Sequence, residues 1–279
     1  MIRIIPRLDI KGPNLVKGIH LEGLRVLGSP IDFARYYYEH GADELLFQDV
    51  VASLYERNSL TDIIQKTARE IFIPLTVGGG IRTLEDIKVA LRSGADKVSI
   101  NTAAIKNPEF IKKAAREFGS STICIALEII QQQDGTYLCY TDNGREYTGI
   151  EAIEWAKKVA DLGAGELIIT AIDKEGTKNG MDVNLIKSIV DQVSIPVIAH
   201  GGVGKVSDIS KAVDQGADAV SLATMLHYNA VHQIKPATIE SKEGNREFLK
   251  KQLSNSFQSQ LTLSHIKKHL NEEKIPCRY

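Results

Sequence analysis

The stretch "PLTVGGGIRTLEDIKVALRSGADKVSIN" at residues 74–101 has a second copy in the chain, "PVIAHGGVGKVSDISKAVDQGADAVSLA" at 196–223. The two copies lie 122 residues apart and share 11 of their 28 residues. Each copy has an apolar run, a glycine-rich segment, an amphipathic stretch and a second apolar run, which is typical of a βα unit followed by a strand. The same spacing relates "GADELL" (41–46) to "GAGELI" (163–168). The chain therefore contains two similar halves.

Short apolar runs alternate with helix-like stretches over the first 225 residues. Eight of them are predicted to be strands, at residues 3–8, 44–49, 73–77, 97–100, 122–128, 166–170, 195–199 and 219–223. Two halves of four βα units each predict an α/β protein with the (β/α)8 TIM-barrel fold, because a doubly wound sheet would not need this two-fold register. We expect a single domain over residues 1–279, with a polar segment inserted at about 229–260 before the last helix.

Composition excludes several classes of function. The 279-residue chain has a net charge of −1 and a pI of about 6.7, so bulk charge indicates neither a nucleic-acid partner nor a membrane partner. No apolar run approaches the roughly 18 residues of a membrane span, and no signal-peptide pattern precedes the first strand. The three cysteines are widely spaced and form no metal motif or disulfide framework. We therefore expect a cytoplasmic protein without a metal site.

Two glycine-rich loops follow predicted strands at corresponding places in the two halves. They are "VGGGIR" (77–82) and "AHGGVG" (199–204), and each is coupled to a small-residue segment at the next strand end, "INT" (100–102) or "LAT" (222–224). Glycines expose backbone N–H groups to an anion, so the loops indicate two phosphate sites facing each other across the barrel mouth. An elongated substrate with a phosphate at each end would fit them. The alternative is that these glycines only permit tight turns.

Two acids end corresponding strands of the two halves. Asp9 lies in "PRLDIKG" (6–12), and Glu128 interrupts the apolar run "ICIALEII" (123–130). An ionised carboxylate in such a strand is costly unless another group pairs with it or uses it. Opposed carboxylates in a barrel mouth suit general acid and general base catalysis. The alternative is that both are ordinary acids at strand ends.

Four stretches carry a resemblance to a known family. They are "RIIPRLDIKGPNLVKG" (3–18), "PLTVGGGIRTLEDIKVALRSGADKVSINTAAIKNPE" from residue 74, "IDKEGTKNG" (172–180) and "SIPVIAHGGVG" (194–204). They closely resemble the cyclase subunit of imidazole glycerol phosphate synthase, over residues 1–228 and again over about 261–278. The resemblance implies a heterodimer with a glutaminase and no cofactor. Ammonia from that partner would cross the barrel core to a two-phosphate ribulosyl-formimino carboxamide ribonucleotide, giving imidazole glycerol phosphate and aminoimidazole carboxamide ribotide.

The resemblance also implies roles for individual residues. Asp9 matches one catalytic aspartate, Glu128 takes the position of the second, and Lys17 matches a lysine of the mobile first loop. One phosphate site is matched by Gly80, Asn101 and Thr102, and the other by Gly176, Gly202, Ala223 and Thr224. A ring of alternating charges that closes the ammonia entrance is matched by Arg3, Glu44, Lys97 and Glu166, with Asp96 as an interface aspartate. These matches imply that the glutaminase partner is retained.

The chain departs from the family pattern at the mouth. Glu128 is one methylene longer than the usual aspartate, Arg7 replaces a small cysteine, His200 replaces a serine, and Glu175 replaces an aspartate. Arg7 could depress the pKa of a nearby acid, and His200 could bind an anion or titrate near neutral pH. The inserted segment at 229–260 is interpreted as a surface excursion, a lid or an altered partner surface.

Three hypotheses of function follow. The first is the histidine-pathway cyclase itself. The second is a paralogue that pairs with a glutaminase and passes ammonia to a third protein, which forms an acetamidino group on a surface-polysaccharide sugar. The third is a catalytically silent scaffold that only activates the glutaminase. Turnover of the ribonucleotide with free ammonia separates the first hypothesis from the other two.

Overall fold

The computed structural model describes residues 1–52, 60–231, 233–234 and 261–278. Its strands are β1 (Arg3–Lys11), β2 (Asn14–Ile19), β3 (Glu22–Gly28), β4 (Leu45–Asp49), β5 (Leu75–Gly78), β6 (Lys97–Ile100), β7 (Ile123–Gln131), β8 (Tyr137–Thr141), β9 (Glu146–Glu151), β10 (Glu166–Ala171), β11 (Val197–His200) and β12 (Ala219–Leu222). Its helices are α1 (Pro30–Glu39), α2 (Thr61–Ala68), α3 (Leu84–Arg92), α4 (Thr102–Lys106), α5 (Glu109–Phe118), α6 (Ala152–Asp161), α7 (Val183–Val190), α8 (Val206–Asp214), α9 (Thr224–Ala230) and α10 (Leu263–Glu272).

Eight parallel strands close into a barrel. Their order is β1, β4, β5, β6, β7, β10, β11 and β12, and β12 pairs back onto β1. Each predicted strand has its counterpart here, with ends that agree to within three residues. The predicted (β/α)8 fold is therefore confirmed.

The half-barrel repeat is visible in corresponding hydrogen bonds as well as in topology. The amide of Leu75 donates to Asp96 Oδ2 at 2.8 Å, and the amide of Val197 donates to Asp218 Oδ2 at 2.9 Å. Both aspartates belong to the repeated "GAD" segment and tie the loop before one strand to the start of its neighbour. Asp96, matched above to a partner interface, thus also has a structural contact within the chain.

Two antiparallel hairpins extend the barrel wall, and the sequence analysis did not predict them. Strands β2 and β3 fold back from the end of β1, and strands β8 and β9 fold back from the end of β7. They occupy corresponding places in the two halves. Since they leave from the carboxyl ends of β1 and β7, they flank the mouth where Asp9 and Glu128 lie.

The apolar core has an outer layer and an inner one. The outer layer lies between the strands and the surrounding helices. The inner cluster takes one buried side chain from each of six strands: Ile5, Leu46, Cys124, Ile168, Ile198 and Ala219.

No helix of the described residues is long and apolar enough to cross a membrane. The predicted insertion at 229–260 lies almost entirely outside the described residues.

Candidate active site

Asp9 and Glu128 lie on opposite walls of the barrel at its carboxyl end. Asp9 is near the end of β1 and Glu128 near the end of β7, and these strands are four places apart in a ring of eight. Both side chains face the interior and are almost fully buried. The structure thus puts the two predicted acids where a barrel enzyme keeps its reactive groups.

Asp9 is held between two cations. Arg7 donates from Nε to Asp9 Oδ1 at 2.8 Å, and Lys17 Nζ lies 3.7 Å from Asp9 Oδ2. Burial raises the pKa of Asp9, but the charges of Arg7 and Lys17 outweigh this cost and leave the pKa below its ordinary value. Asp9 is therefore an ionised carboxylate at neutral pH.

Arg7 crosses the lumen of the barrel. Residues two apart on a strand face the same side, so Arg7 points inward together with Asp9. Its Nη1 reaches the far wall and donates to Thr170 Oγ1 on β10 at 3.2 Å. Only 3% of Arg7 is exposed. The guanidinium therefore lies between the inner apolar cluster and the open mouth.

Lys17 lies in strand β2 rather than in an open loop. Its side chain is buried, and its Nζ donates to Glu175 Oε1 in a short hydrogen bond. The amide of Leu21 donates to the other Glu175 oxygen at 3.3 Å. Glu175, in the loop that follows β10, thus binds the β2–β3 hairpin through hydrogen bonds.

Glu128 has a different electrostatic environment from Asp9. The amide of Gly144 donates to Glu128 Oε2 at 2.8 Å. The pKa of Glu128 is raised to about 7. Burial and, to a smaller extent, the charges of Asp142 and Asp9 raise it, while Arg7 and the Gly144 amide lower it. Glu128 is therefore partly protonated near neutral pH, while Asp9 is ionised.

The first glycine loop opens into a cavity beside Glu128. This cavity has a volume of about 310 Å³ and is lined by Gly80, Asn101, Thr102 and Glu128 among other residues. The three residues matched to one phosphate site are therefore brought together with the second acid. Asn101 Oδ1 is buried without a hydrogen-bond partner among the described residues, so it remains available to a ligand donor.

The second glycine loop borders a narrow cleft of about 20 Å³. Its lining includes Gly176, Gly202, Ala223 and Thr224, which are all four residues matched to the other phosphate site. A Cβ at Gly202 would lie 2.1 Å from the carbonyl oxygen of Gly180, so the close approach of these loops requires glycine. Lys17 lines a separate, neighbouring cavity of about 330 Å³ together with Gly176 and Thr224.

The two loops have matching backbone conformations. Gly80 and Gly202 have φ of +74° and +93°, values that favour glycine. The residues that directly follow the next strands also correspond: Asn101 has φ −121° and ψ −84°, and Ala223 has φ −127° and ψ −83°. Such a pair of angles is outside the regular helix and strand regions. Its occurrence in both halves indicates that the two loops present their amides in the same way.

His200 differs from the expectation that it titrates near neutral pH. Its Nδ1 lies 2.9 Å from the carbonyl oxygen of Ser221. Burial, reinforced by the charge of Arg7, lowers the pKa of His200 to about 3. The expectation of a titration near neutrality is therefore wrong for the free protein, because the sequence does not reveal that the imidazole is buried beside a guanidinium.

The opposite end of the barrel is closed by four charged side chains. Arg3 Nη1 lies 2.7 Å from both Glu44 Oε1 and Glu166 Oε1, and Lys97 Nζ lies 3.3 Å from Glu44 Oε2 and 2.9 Å from Glu166 Oε2. Each carboxylate thus bridges both cations. The structure brings together the four residues matched to the family's ring, at the amino ends of the strands.

Several residues at the mouth were missed by the sequence analysis. Asp142, Asn143 and Gly144 form the turn between β8 and β9, and this turn supplies the amide that binds Glu128. The triplet Asp-Asn-Gly is a hairpin-turn signal and could have located them. Thr170, the partner of Arg7, had no such signal. Within the described ranges, no group of three or more His, Cys, Asp or Glu side chains is placed to hold a metal ion.

The fold and the paired loops define the class of barrels built from two similar half-barrels. The family model described as "Histidine biosynthesis protein" matches residues 3–232. Imidazole glycerol phosphate synthase subunit HisF of Legionella pneumophila is 53% identical over 209 residues, covering 75% of this chain and 99% of that protein. The same subunit of Endomicrobium trichonymphae is 42% identical over 277 residues, covering 99% and 95%. The chain therefore belongs to the HisF family of imidazole glycerol phosphate synthase subunits.

Proposed function

We propose that the chain is the cyclase subunit of an imidazole glycerol phosphate synthase. It takes ammonia from a glutaminase subunit, with which it forms a heterodimer, and uses it on a two-phosphate ribulosyl-formimino carboxamide ribonucleotide. The products are imidazole glycerol phosphate and aminoimidazole carboxamide ribotide. The observation that carries the proposal is the gathering of two glycine loops and two buried carboxylates at one end of the barrel, with a closed charged ring at the other.

Substrate position follows from the strand order. The glycine loops follow β5 and β11, which are four places apart in the ring, so they face each other across the mouth. Asp9 and Glu128 face each other along the perpendicular direction, from β1 and β7. A substrate that spans the loops with its two phosphates therefore passes between the two acids. This arrangement supports the roles assigned above to Gly80, Asn101 and Thr102 on one side and to the Gly202 loop on the other.

The two acids have complementary proton affinities. Asp9 is ionised because Arg7 and Lys17 outweigh the cost of burial, so it acts as the proton acceptor. Glu128, with a pKa of about 7, keeps a proton for donation near neutral pH. Pairs of titratable groups whose environments separate their pKa values are typical of acid–base catalysis.

The charged ring supports a glutaminase partner. Arg3, Glu44, Lys97 and Glu166 form a closed set of ion pairs at the amino ends of the strands, and the apolar inner cluster lies above them. Such a ring admits ammonia only when one of its members moves. We place the partner on this face, with Asp96 at its contact surface.

Two further properties are part of the proposal. All three cysteines are free and buried, which fits a reducing cytoplasm. The described residues form one continuous sheet closed on itself, which fits a single barrel domain with an inserted segment at about 229–260.

One observation favours a second candidate, the ammonia-supplying paralogue. Arg7 fills the lumen where the family has a small residue and already pairs with Asp9. Substrate would compete with this guanidinium for the carboxylate. A barrel that delivers ammonia to a third protein has no need of a free Asp9.

An assay with ammonium salt tests the proposal. The purified chain is given the two-phosphate ribonucleotide, beside Glu128→Asp and Asp9→Asn as the inactive reference. Turnover by the wild type well above Asp9→Asn supports the cyclase and excludes the paralogue. A wild type as slow as Asp9→Asn contradicts the cyclase; rescue by Glu128→Asp would then identify side-chain length as the cause. Ammonia-dependent amidination with a third protein separates the paralogue from a silent scaffold.

A further inference from the structure

His200 presents an unused hydrogen-bond acceptor to the second glycine loop. The carbonyl oxygen of Ser221 can only accept, so the His200 Nδ1 that lies 2.9 Å from it carries the ring proton. The Nε2 of the neutral ring is then a bare acceptor. It is buried and has no hydrogen-bond partner among the described residues.

The surroundings of Nε2 form a small built site. His200, Ser221 and Thr224 all line the cleft of about 20 Å³, and Ser221 Oγ and Thr224 Oγ1 are also buried without partners in the described part of the chain. A cleft of this size admits about one oxygen atom. Ser and Thr hydroxyls can donate to that oxygen, but the bare nitrogen cannot. An unprotonated ligand oxygen would therefore face the lone pair of Nε2.

The charged groups around His200 balance one another. Arg7 and Lys17 are cationic, while Asp9 and Glu175 are anionic, and they pair as Arg7 with Asp9 and Lys17 with Glu175. The Glu175 carboxylate lies 4.0 Å from Nε2 and already accepts from Lys17. None of these groups supplies a proton to Nε2, so a donor for it must arrive with the ligand.

We propose that His200 is a specificity-determining residue of the second loop, which binds a phosphate group together with one proton held between a phosphate oxygen and His200 Nε2. This inference rests on the phosphate role proposed above for the Gly202 loop. The corresponding position of the first loop is Gly78, which has no side chain, so the requirement belongs to the second loop alone. A dianionic phosphate loses this contact, whereas a monoanion carries the needed hydrogen.

The proposal gives a definite pH dependence. A phosphate monoester loses its second proton at a pKa of about 6, so above that pH the protein must recover a proton to bind it. Affinity for a monoester should then fall about tenfold for each further pH unit. In His200→Ser the hydroxyl donates to the dianion directly, so its affinity should stay level or rise over the same range. Glu128 titrates in both proteins, so its effect on the pH dependence of binding cancels when wild type and His200→Ser are compared.

Nuclear magnetic resonance titration with glycerol phosphate measures this at the loop itself. The amide signals of Gly202 and Ala223 report binding in the wild type and in His200→Ser, at several pH values between about 5.5 and 7.5. The side-chain nitrogen signals of His200 in the wild type report whether Nε2 accepts a hydrogen bond from the bound phosphate. We expect the affinity of the wild type to fall as pH rises, the affinity of His200→Ser to stay level or rise, and the Nε2 signal of the wild type to move toward that of a protonated nitrogen on binding.

Three outcomes would overturn the inference. If both proteins bind with the same pH dependence, or if Nε2 stays bare in the bound wild type, His200 does not hold the proton and only this inference fails. If His200→Ser binds while the wild type does not bind even at the lowest pH, the imidazole excludes phosphate instead of sharing its proton. If glycerol phosphate leaves the Gly202 and Ala223 amides unchanged in both proteins, the proposed second phosphate site fails, and this inference fails with it.

Discussion

Arg7 and Asp9, two residues apart on β1, are joined inside the barrel by a hydrogen bond of 2.8 Å from Nε to Oδ1. This contact explains two properties of the mouth. It keeps Asp9 ionised in a buried position, and it holds the guanidinium across the lumen toward Thr170. Chemistry at Asp9 and passage through the barrel are therefore both linked to the position of one side chain.

Replacing Arg7 should destabilise the fold in a pH-dependent way. In Arg7→Met the buried Asp9 keeps only Lys17, so its pKa should rise, and the free energy of unfolding should fall by about 3 kcal/mol at neutral pH. The Asp9 pKa is lowered in the wild type. The difference in stability between wild type and Arg7→Met should therefore be full above the unfolded pKa of about 4 and should shrink at lower pH as Asp9 is protonated. Denaturant unfolding measures it, with Arg7→Lys as the charge-conserving control. Equal stability of Arg7→Met and wild type at neutral pH would contradict the ion pair.

Glu128 should make the protein less stable as pH rises. Its pKa is about 7 in the folded chain against an ordinary 4.5, so the folded state binds the proton more tightly. The free energy of unfolding should fall from about pH 4.5 to about pH 7, by about 3 kcal/mol in total. The near-isosteric Glu128→Gln cannot ionise and should lack this component. Unfolding curves of both proteins across that range test it, and parallel pH dependences would rule it out.

The charged ring should control coupling between glutamine hydrolysis and product formation. Lys97→Met removes two of the four ion-pair contacts, one to Glu44 and one to Glu166. We expect fewer products per glutamine hydrolysed, and a smaller loss when saturating ammonium salt replaces glutamine. Lys88→Met, which removes an exposed contact with Glu85 on helix α3, is the matched control. Full coupling in Lys97→Met would mean that the ring does not guide ammonia.

Two glycine variants separate the cost of close packing at the second glycine loop from the cost of its left-handed backbone. Gly202 has φ +93° and a Cβ there would meet Gly180, whereas Gly135 has a similar φ of +88° with no atom within 4 Å. Gly135→Ala should cost about 1 kcal/mol from the left-handed backbone alone, and Gly202→Ala about 3 kcal/mol because a clash is added. Only Gly202→Ala should also weaken glycerol phosphate binding at the Ala223 amide. Urea unfolding compares the two, and equal costs would contradict the close approach.

The sequence predicted the barrel because its signal is repeated. Each of the eight strands is an apolar run at a fixed place in a half-barrel. An offset of 122 residues relates three of the four strand pairs, and the first and fifth strands correspond through Asp9 and Glu128. The hairpins of β2–β3 and β8–β9 were missed because, although they occupy corresponding places in the two halves, their sequences do not repeat. The Asp-Asn-Gly turn at 142–144 was the available signal.

The electrostatics of the mouth could not be predicted in the same way. The identities of Arg7 and His200 are plain in the sequence, but their effects depend on which groups the closed barrel puts beside them. Arg7 reaches Thr170, which is 163 residues away in sequence. His200 loses its usual pKa because it is buried next to that guanidinium. Such contacts arise from strand register across the lumen, which no local pattern encodes.

Isotope transfer through the complex tests the central claim most directly. The chain, joined to its glutaminase, is supplied with glutamine labelled with nitrogen-15 in the amide, the two-phosphate ribonucleotide, and an excess of unlabelled ammonium salt. If ammonia passes from the charged ring through the barrel to Asp9 and Glu128, the imidazole glycerol phosphate formed will carry the label. A product with unlabelled nitrogen only, or no imidazole product while glutamine is hydrolysed, would contradict the account.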